Sequence, residues 1–166
     1  MHSHLIRTSA KLALALFALI AIATACGSSQ PVANASPTNT CKNASAPHHA
    51  YLVVQHLDGT SVQKCVGFTS STIDGETLMD QSGIEYKAQT FSFGSAVCQL
   101  DNEPPQFTQC FPQNQPYWAL FIEASGKWAP AAAGYAQAIL NDKDALGWHY
   151  VKATDPSPAP PPLAKA

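Results

Sequence analysis

The chain has 166 residues with nine Lys+Arg, eleven Asp+Glu and a net charge of −2. Arg7 and Lys11 precede Cys26, so the remainder holds seven Lys, no Arg and all eleven acidic residues, a charge of −4. With charged residues at 12% and no cationic cluster, the composition argues against nucleic acid and against a charge-driven partnership with an anionic membrane, since both rest on grouped Lys and Arg.

In chain order, Arg7 and Lys11 form a basic start and residues 12–22 (LALALFALIAI) an apolar core too short to span a bilayer comfortably. Residues 1–25 therefore read as a signal peptide. Ala23-Thr24-Ala25-Cys26 resembles a bacterial lipobox, with Ala23 where Leu is usual. A diacylated Cys26 would tether the mature chain to the membrane, since two acyl chains hold stably where one does not. Ordinary secretory cleavage after Ala25 is the alternative. Either way the protein is expected outside the cytoplasm. Residues 26–49, rich in Ser, Asn, Thr, Ala and Pro, lack the apolar content of a core and read as a linker.

The folded domain is expected over residues 50–152. Residues 51–57 (YLVVQHL) read as a strand and Asp58-Gly59 as a two-residue hairpin turn. The return strand is residues 61–68, with Leu57 opposite Thr60 and Leu52 opposite Cys65. A short helix over 75–82 follows, with Asp74 as N-cap, Glu76 in the first turn, Gly83 as left-handed stop and Ile73/Leu78 as a staple. Residues 85–91 and 96–100 are strands, and 101–116, with four Pro, is loop. Residues 117–122 (YWALFI) are the most apolar run of the mature chain and read as an interior strand, turned at Ser125-Gly126 into a return at Lys127-Trp128. Residues 129–140 mix helix-favouring Ala with Pro130 and Gly134 and remain open between helix and loop. Asn141 to Asp144 is a turn, and Leu146–Val151 a closing strand with Trp148 and Tyr150 on one face. Residues 153–166 are a Pro/Ala-rich tail, expected to be disordered. The sum is an α+β fold, β-grasp-like, with one short helix packed on a mostly antiparallel sheet.

Cys41, Cys65, Cys98 and Cys110 are an even set in an exported chain and so expected to be disulfide-bonded. Three pairings are possible. Pro104-Pro105 can turn the chain between Cys98 and Cys110, which favours that bond and leaves Cys41–Cys65. No CxxC pair exists and His48-His49 lack ligand spacing, so no metal site is expected. No nucleophile elbow, zinc-protease or phosphate-loop motif occurs, and Asp142 and Asp144 fit a turn better than an acid/base pair. His56 and His149 are the best-placed bases for an enzyme, but the expectation is a non-enzymatic protein.

Aromatic residues are the class that points to binding. Tyr117, Trp118, Trp128, Trp148 and Tyr150 gather at the ends of the last strands. Adjacent Tyr117 and Trp118 must face opposite sides of a strand, so one ring leaves the helix-covered core. Exposed rings beside an apolar cleft make a stacking platform for a flat ligand. Asp142 and Asp144 are the lesser candidates, for capping ligand amides.

Gly75-Glu76-Thr77-Leu78-Met79 with Gly83-Ile84, Val97-Cys98-Gln99-Leu100-Asp101 before a loop ending in Cys110, Tyr117-Trp118-Ala119-Leu120-Phe121, and Gly126-Lys127-Trp128 followed by Gly147-Trp148-His149-Tyr150 together resemble the transcobalamin C-terminal-domain-like family of bacterial surface lipoproteins. The likeness spans residues about 50–152, with Asn141-Asp142-Lys143-Asp144 where that family has Gly-Asp. The resemblance implies a binding module for cobalamin, another corrinoid or a related small ligand, near a membrane importer, with no resident cofactor. In animal carriers this domain covers one side of the corrinoid and a helical partner domain holds the rest. The competing expectation is a cell-surface adhesion or protein-interaction domain without a small ligand.

Overall fold

The computed structural model describes residues 41–92 and 94–163. The signal peptide, the lipidation of Cys26 and the first part of the linker lie outside the described residues. Strands β1 (His48–Gln55), β2 (Ser61–Phe68), β6 (Tyr117–Ala124), β7 (Lys127–Pro130) and β9 (Ala145–Val151) form one five-stranded sheet in the order β2-β1-β9-β6-β7. Only β1 and β9 pair in parallel; the other neighbours are antiparallel. Two small ladders complete it: β3 (Ile73–Asp74) with β8 (Ile139–Leu140), and β4 (Tyr86–Phe91) with β5 (Gly94–Leu100). The architecture is α+β with one helix, α1 (Gly75–Ser82), on a mostly antiparallel sheet.

The helix forms where local chemistry places it. Asp74 accepts a hydrogen bond from the Thr77 backbone N–H at 2.8 Å, and Gly83 ends the helix at φ 72°. Hydrogen bonds from Thr77, outweighing burial, hold the Asp74 carboxyl below its ordinary value. Eight residues are too few for a stable free helix. Docking supplies the rest: Leu78 and Met79 are fully buried with Ile73, Leu52, Val66, Leu140 and Leu146, each such side chain stabilising by about 2 kcal/mol.

The hairpin differs from expectation by one residue. His56 N–H bonds Thr60 O at 2.9 Å and Gly59 N–H bonds His56 O at 3.0 Å, so the loop has three residues. Asp58 keeps a negative φ while Gly59 sits at 88°, the pattern of a turn plus bulge rather than a type I′ turn. The Asp58 carboxylate holds Thr60 through both its N–H and its hydroxyl. Consequently Leu52 faces Lys64, and Tyr51 rather than Leu52 faces Cys65.

Both faces of the sheet are covered. Ala50, Leu52, Val54, Leu146, Trp148 and Tyr150 point to the helix side. Tyr51, Val53, Cys65, Phe121, Ala145 and Val151 are buried on the opposite side, here called the back. Double burial explains why residues 51–54 are continuously apolar.

Both segments expected to be structureless at the domain's edges are part of it. Residues 41–49 do not behave as linker: Cys41 is bonded to Cys65, Lys42 N–H donates to Cys65 O at 3.0 Å, Gly67 N–H donates to Lys42 O at 2.7 Å, and β1 begins at His48. They add a short parallel rung to the edge of β2, which would otherwise leave N–H and C=O groups unpaired. In the tail, Pro161 is fully buried and Leu163 packs on the back of the sheet. Residues 129–140 resolve into the end of β7, one 3-10 turn (Tyr135–Gln137) and β8, with Tyr135 buried against Trp148 at 6.0 Å between rings.

Candidate ligand site

The bonds Cys41–Cys65 and Cys98–Cys110 both form, which places the folded part in an oxidising compartment. Among the described residues no helix is long and apolar enough to cross a membrane.

The Cys98–Cys110 bond pins the proline-rich loop 101–116 over the end of the sheet. At the root of the loop, Leu100 and Glu103 exchange backbone hydrogen bonds at 2.9 Å, with Asp101 and Asn102 in left-handed conformations between them. Asn and Asp tolerate that region better than other non-glycine residues. Gln99 donates its amide to Pro104 O at 2.6 Å, and Trp118 donates its indole N–H to Glu103 O at 3.1 Å. The loop thus stands away from the sheet and encloses a cavity of about 330 Å³. Its walls are the Cys98–Cys110 bond, Pro104, Phe107 and Pro116 from the loop side, and Tyr117, Trp118 and Tyr150 from the sheet.

Trp118 and Tyr150 form the floor as a ring pair 4.7 Å apart, tilted by 38°. Both are largely buried, at 9% and 7% exposure, and Tyr117 at the rim is half-buried. Tyr117 and Trp118 point to opposite sides of β6, as adjacent strand residues must, yet both reach the cavity because β6 starts at its mouth. Desolvation, reinforced by the Glu103 carboxylate, raises the Tyr150 phenol above its ordinary value, so it stays a neutral hydrogen-bond donor at physiological pH. Gln106, Thr108, Gln109 and Gln115 supply polar groups around the mouth. The combination is an apolar, aromatic-floored cleft with a few orienting amides and hydroxyls, the usual make-up of a small-molecule site.

His56 braces this loop. Its Nδ1 lies 2.8 Å from Glu103 Oε2 and its Nε2 3.1 Å from Asp101 Oδ2, while its ring meets Trp118 edge-on at 6.2 Å. The first hairpin and the loop are joined through it. Sequence reasoning places His56 before a turn and misses this role, because its partners lie 45 and 47 residues away.

Three of the five aromatic candidates come together and two do not. Trp148 lies inside the helix-side core at 4% exposure, because strand alternation turns it to that face, where it meets the Tyr135 ring. Trp128 lies on the back of the sheet, where its ring reaches Gly147. Asp142 and Asp144 are absorbed by structure: Asp142 accepts the His49 N–H at 2.8 Å, and Asp144 accepts the Asn141 N–H and side-chain amide at 2.8 and 2.9 Å. Of the other candidate bases, His149 donates Nδ1–H to Ala159 O at 2.8 Å. Among the described residues no three His, Cys, Asp or Glu side chains are grouped as a cation site. Phe107 and Pro104 escape a reading by residue type, since only the fold brings the loop over Trp118.

No protein-family model matches the chain, and no curated protein matches it. Among solved structures, a crystal structure of a Ruminococcus gnavus protein, named for a proposed metal-binding role, is similar with a TM-score of 0.47 and 16% identity, covering 64% of this chain and 98% of that one.

Proposed function

We propose that the protein is an extracytoplasmic binding module, anchored to the bacterial cell membrane through lipidated Cys26, that takes part of a small, flat, largely apolar ligand into the cleft beneath loop 101–116. The observation that carries this reading is the convergence of Tyr117, Trp118 and Tyr150 with the disulfide-pinned loop on one cavity. The strand order β2-β1-β9-β6-β7, with its parallel pair at the centre, supports the β-grasp reading and with it the transcobalamin-like resemblance. A corrinoid is the leading ligand. A corrin ring is much larger than a cavity of about 330 Å³, so the cleft would take an edge or a side chain and leave the remaining surface for a partner such as an importer.

Isothermal calorimetry and tryptophan fluorescence with cobalamin and cobinamide test the reading. Binding heat with quenching is expected, and both should fall at least ten-fold in Tyr117→Ala, a rim substitution that spares the core. Silence from both corrinoids at high micromolar concentration would reject them as ligands. A second reading, a surface interaction domain without a small ligand, draws on the burial of Trp148 in the core; it expects neither signal.

A further inference from the structure

The back of the sheet carries a second feature that the cleft does not use. Residues 156–163 contain five prolines and retrace β9 in the opposite direction. His149 donates to Ala159 O at 2.8 Å; a Cβ on Gly147 would lie 2.9 Å from Pro161 Cγ; Leu163 packs on the cluster of Tyr51, Cys65 and Ala145. Two residues along β9 match two residues along the tail at each step. Along the tail Pro161 is fully buried and Pro158, Pro162 and Leu163 are half-buried, while Pro156, Ser157, Ala159 and Pro160 are exposed. Five prolines in eight residues favour the polyproline helix, whose carbonyls have no internal donors.

The receiving surface has matching chemistry. Trp128 supplies an indole wall, Tyr51 a phenol, and Gly147 a floor without a side chain: a Cβ there would meet the Trp128 ring at 2.5 Å. His149 supplies a ring N–H to a tail carbonyl. Aromatic-walled grooves with a donor for exposed carbonyls are how proline-rich segments are recognised elsewhere, because a preformed polyproline helix loses little entropy on docking. We infer that this groove is a polyproline-recognition surface, filled in cis by the chain's own tail, and that it accepts a proline-rich segment of a partner protein when the tail is displaced. The groove shares no residue with the aromatic cleft, so the inference does not rest on the proposed ligand function.

A tethered occupant acts at an effective concentration of about millimolar, so the tail should mask the groove from free peptide. The test uses the mature protein lacking residues 156–166, titrated with a peptide of residues 155–166 and followed at the Trp128 indole resonance by NMR. Saturable binding to the truncated protein is expected, at least about ten-fold weaker in the full-length protein and similarly weakened when the peptide carries Gly at the Pro161 position. A folded truncated protein that ignores the peptide would overturn the inference, as would equal binding with and without the tail. Should truncation prevent folding, full-length Pro161→Gly takes its place: peptide binding is expected there, and its absence overturns the proposal.

Discussion

Loop 101–116 and tail 156–163 are both rich in proline, with four of sixteen and five of eight residues, yet the fold uses them oppositely. The loop is fixed at its ends, by the Cys98–Cys110 bond and by the brace of His56 to Asp101 and Glu103, and its middle stands clear of the sheet to leave a cavity. The tail is fixed along its length, by Ala159, Pro161 and Leu163, and leaves none. Proline excludes both from strands and helices for the same reason, a missing N–H and a locked φ. What separates them is what lies beneath: large rings under the loop hold it off, while the bare Gly147 lets the tail settle. A proline-rich segment is thus not synonymous with disorder; its state depends on the surface it meets.

The contrast can be broken most forcefully at the loop. Replacing Cys98 and Cys110 together with Ser should cost about 3 kcal/mol in urea unfolding, the loop-entropy value for a short closed loop. The same variant should lose ligand affinity while leaving tail contacts to His149 intact, as read by NMR. A stability loss confined to the tail side would contradict the division of roles.

The complementary change is Gly147→Ala. Its Cβ would stand 2.5 Å from the Trp128 ring and 2.9 Å from Pro161, so overpacking of about 2 kcal/mol is expected. Trp128 fluorescence should shift to the red as the tail lifts, with the aromatic cleft unaffected. Unchanged stability and emission would mean that the tail does not seat on the floor as described.

The smallest expected effect is a pH dependence on the helix side of the sheet, away from the tail. Burial raises the phenols of Tyr150, Tyr86 and Tyr135 above the ordinary value of 10.0. A raised value in the folded protein means stability that is complete below pH 10 and declines as pH climbs from there toward the folded values, because the unfolded chain releases those protons first. Melting temperature should therefore fall on the alkaline side. Tyr150→Phe should reduce the slope, and Pro161→Gly should leave it unaltered. A slope that Tyr150→Phe does not change would remove Tyr150 from the account.

Much of the fold was legible from local chemistry. The helix ends at Asp74 and Gly83, the return strand 61–68 and the strand from Tyr117 follow from rules that act within a few residues; the compartment implied disulfides, and of the three possible pairings the favoured one forms. The hairpin register was less legible, because Asp58-Gly59 serves two turn geometries and only the Asp58–Thr60 bonds select the three-residue one. The site was half legible. Tyr117, Trp118 and Tyr150 stand out by residue type, but the same criterion picks Trp128 and Trp148, which the strand order sends to the back of the sheet and to the core.

By itself the amino-acid order determines where this chain turns, where its helix starts and stops, and that its four cysteines beyond Cys26 form an even, pairable set, since these depend on φ preferences, caps, near neighbours and composition. Which rings share a cavity, what His56 holds, and whether a run of prolines hangs free or lies against the sheet were decided only by tertiary structure. Each depends on a surface assembled from strands far apart in the chain, and no short window contains both the segment and the surface that receives it.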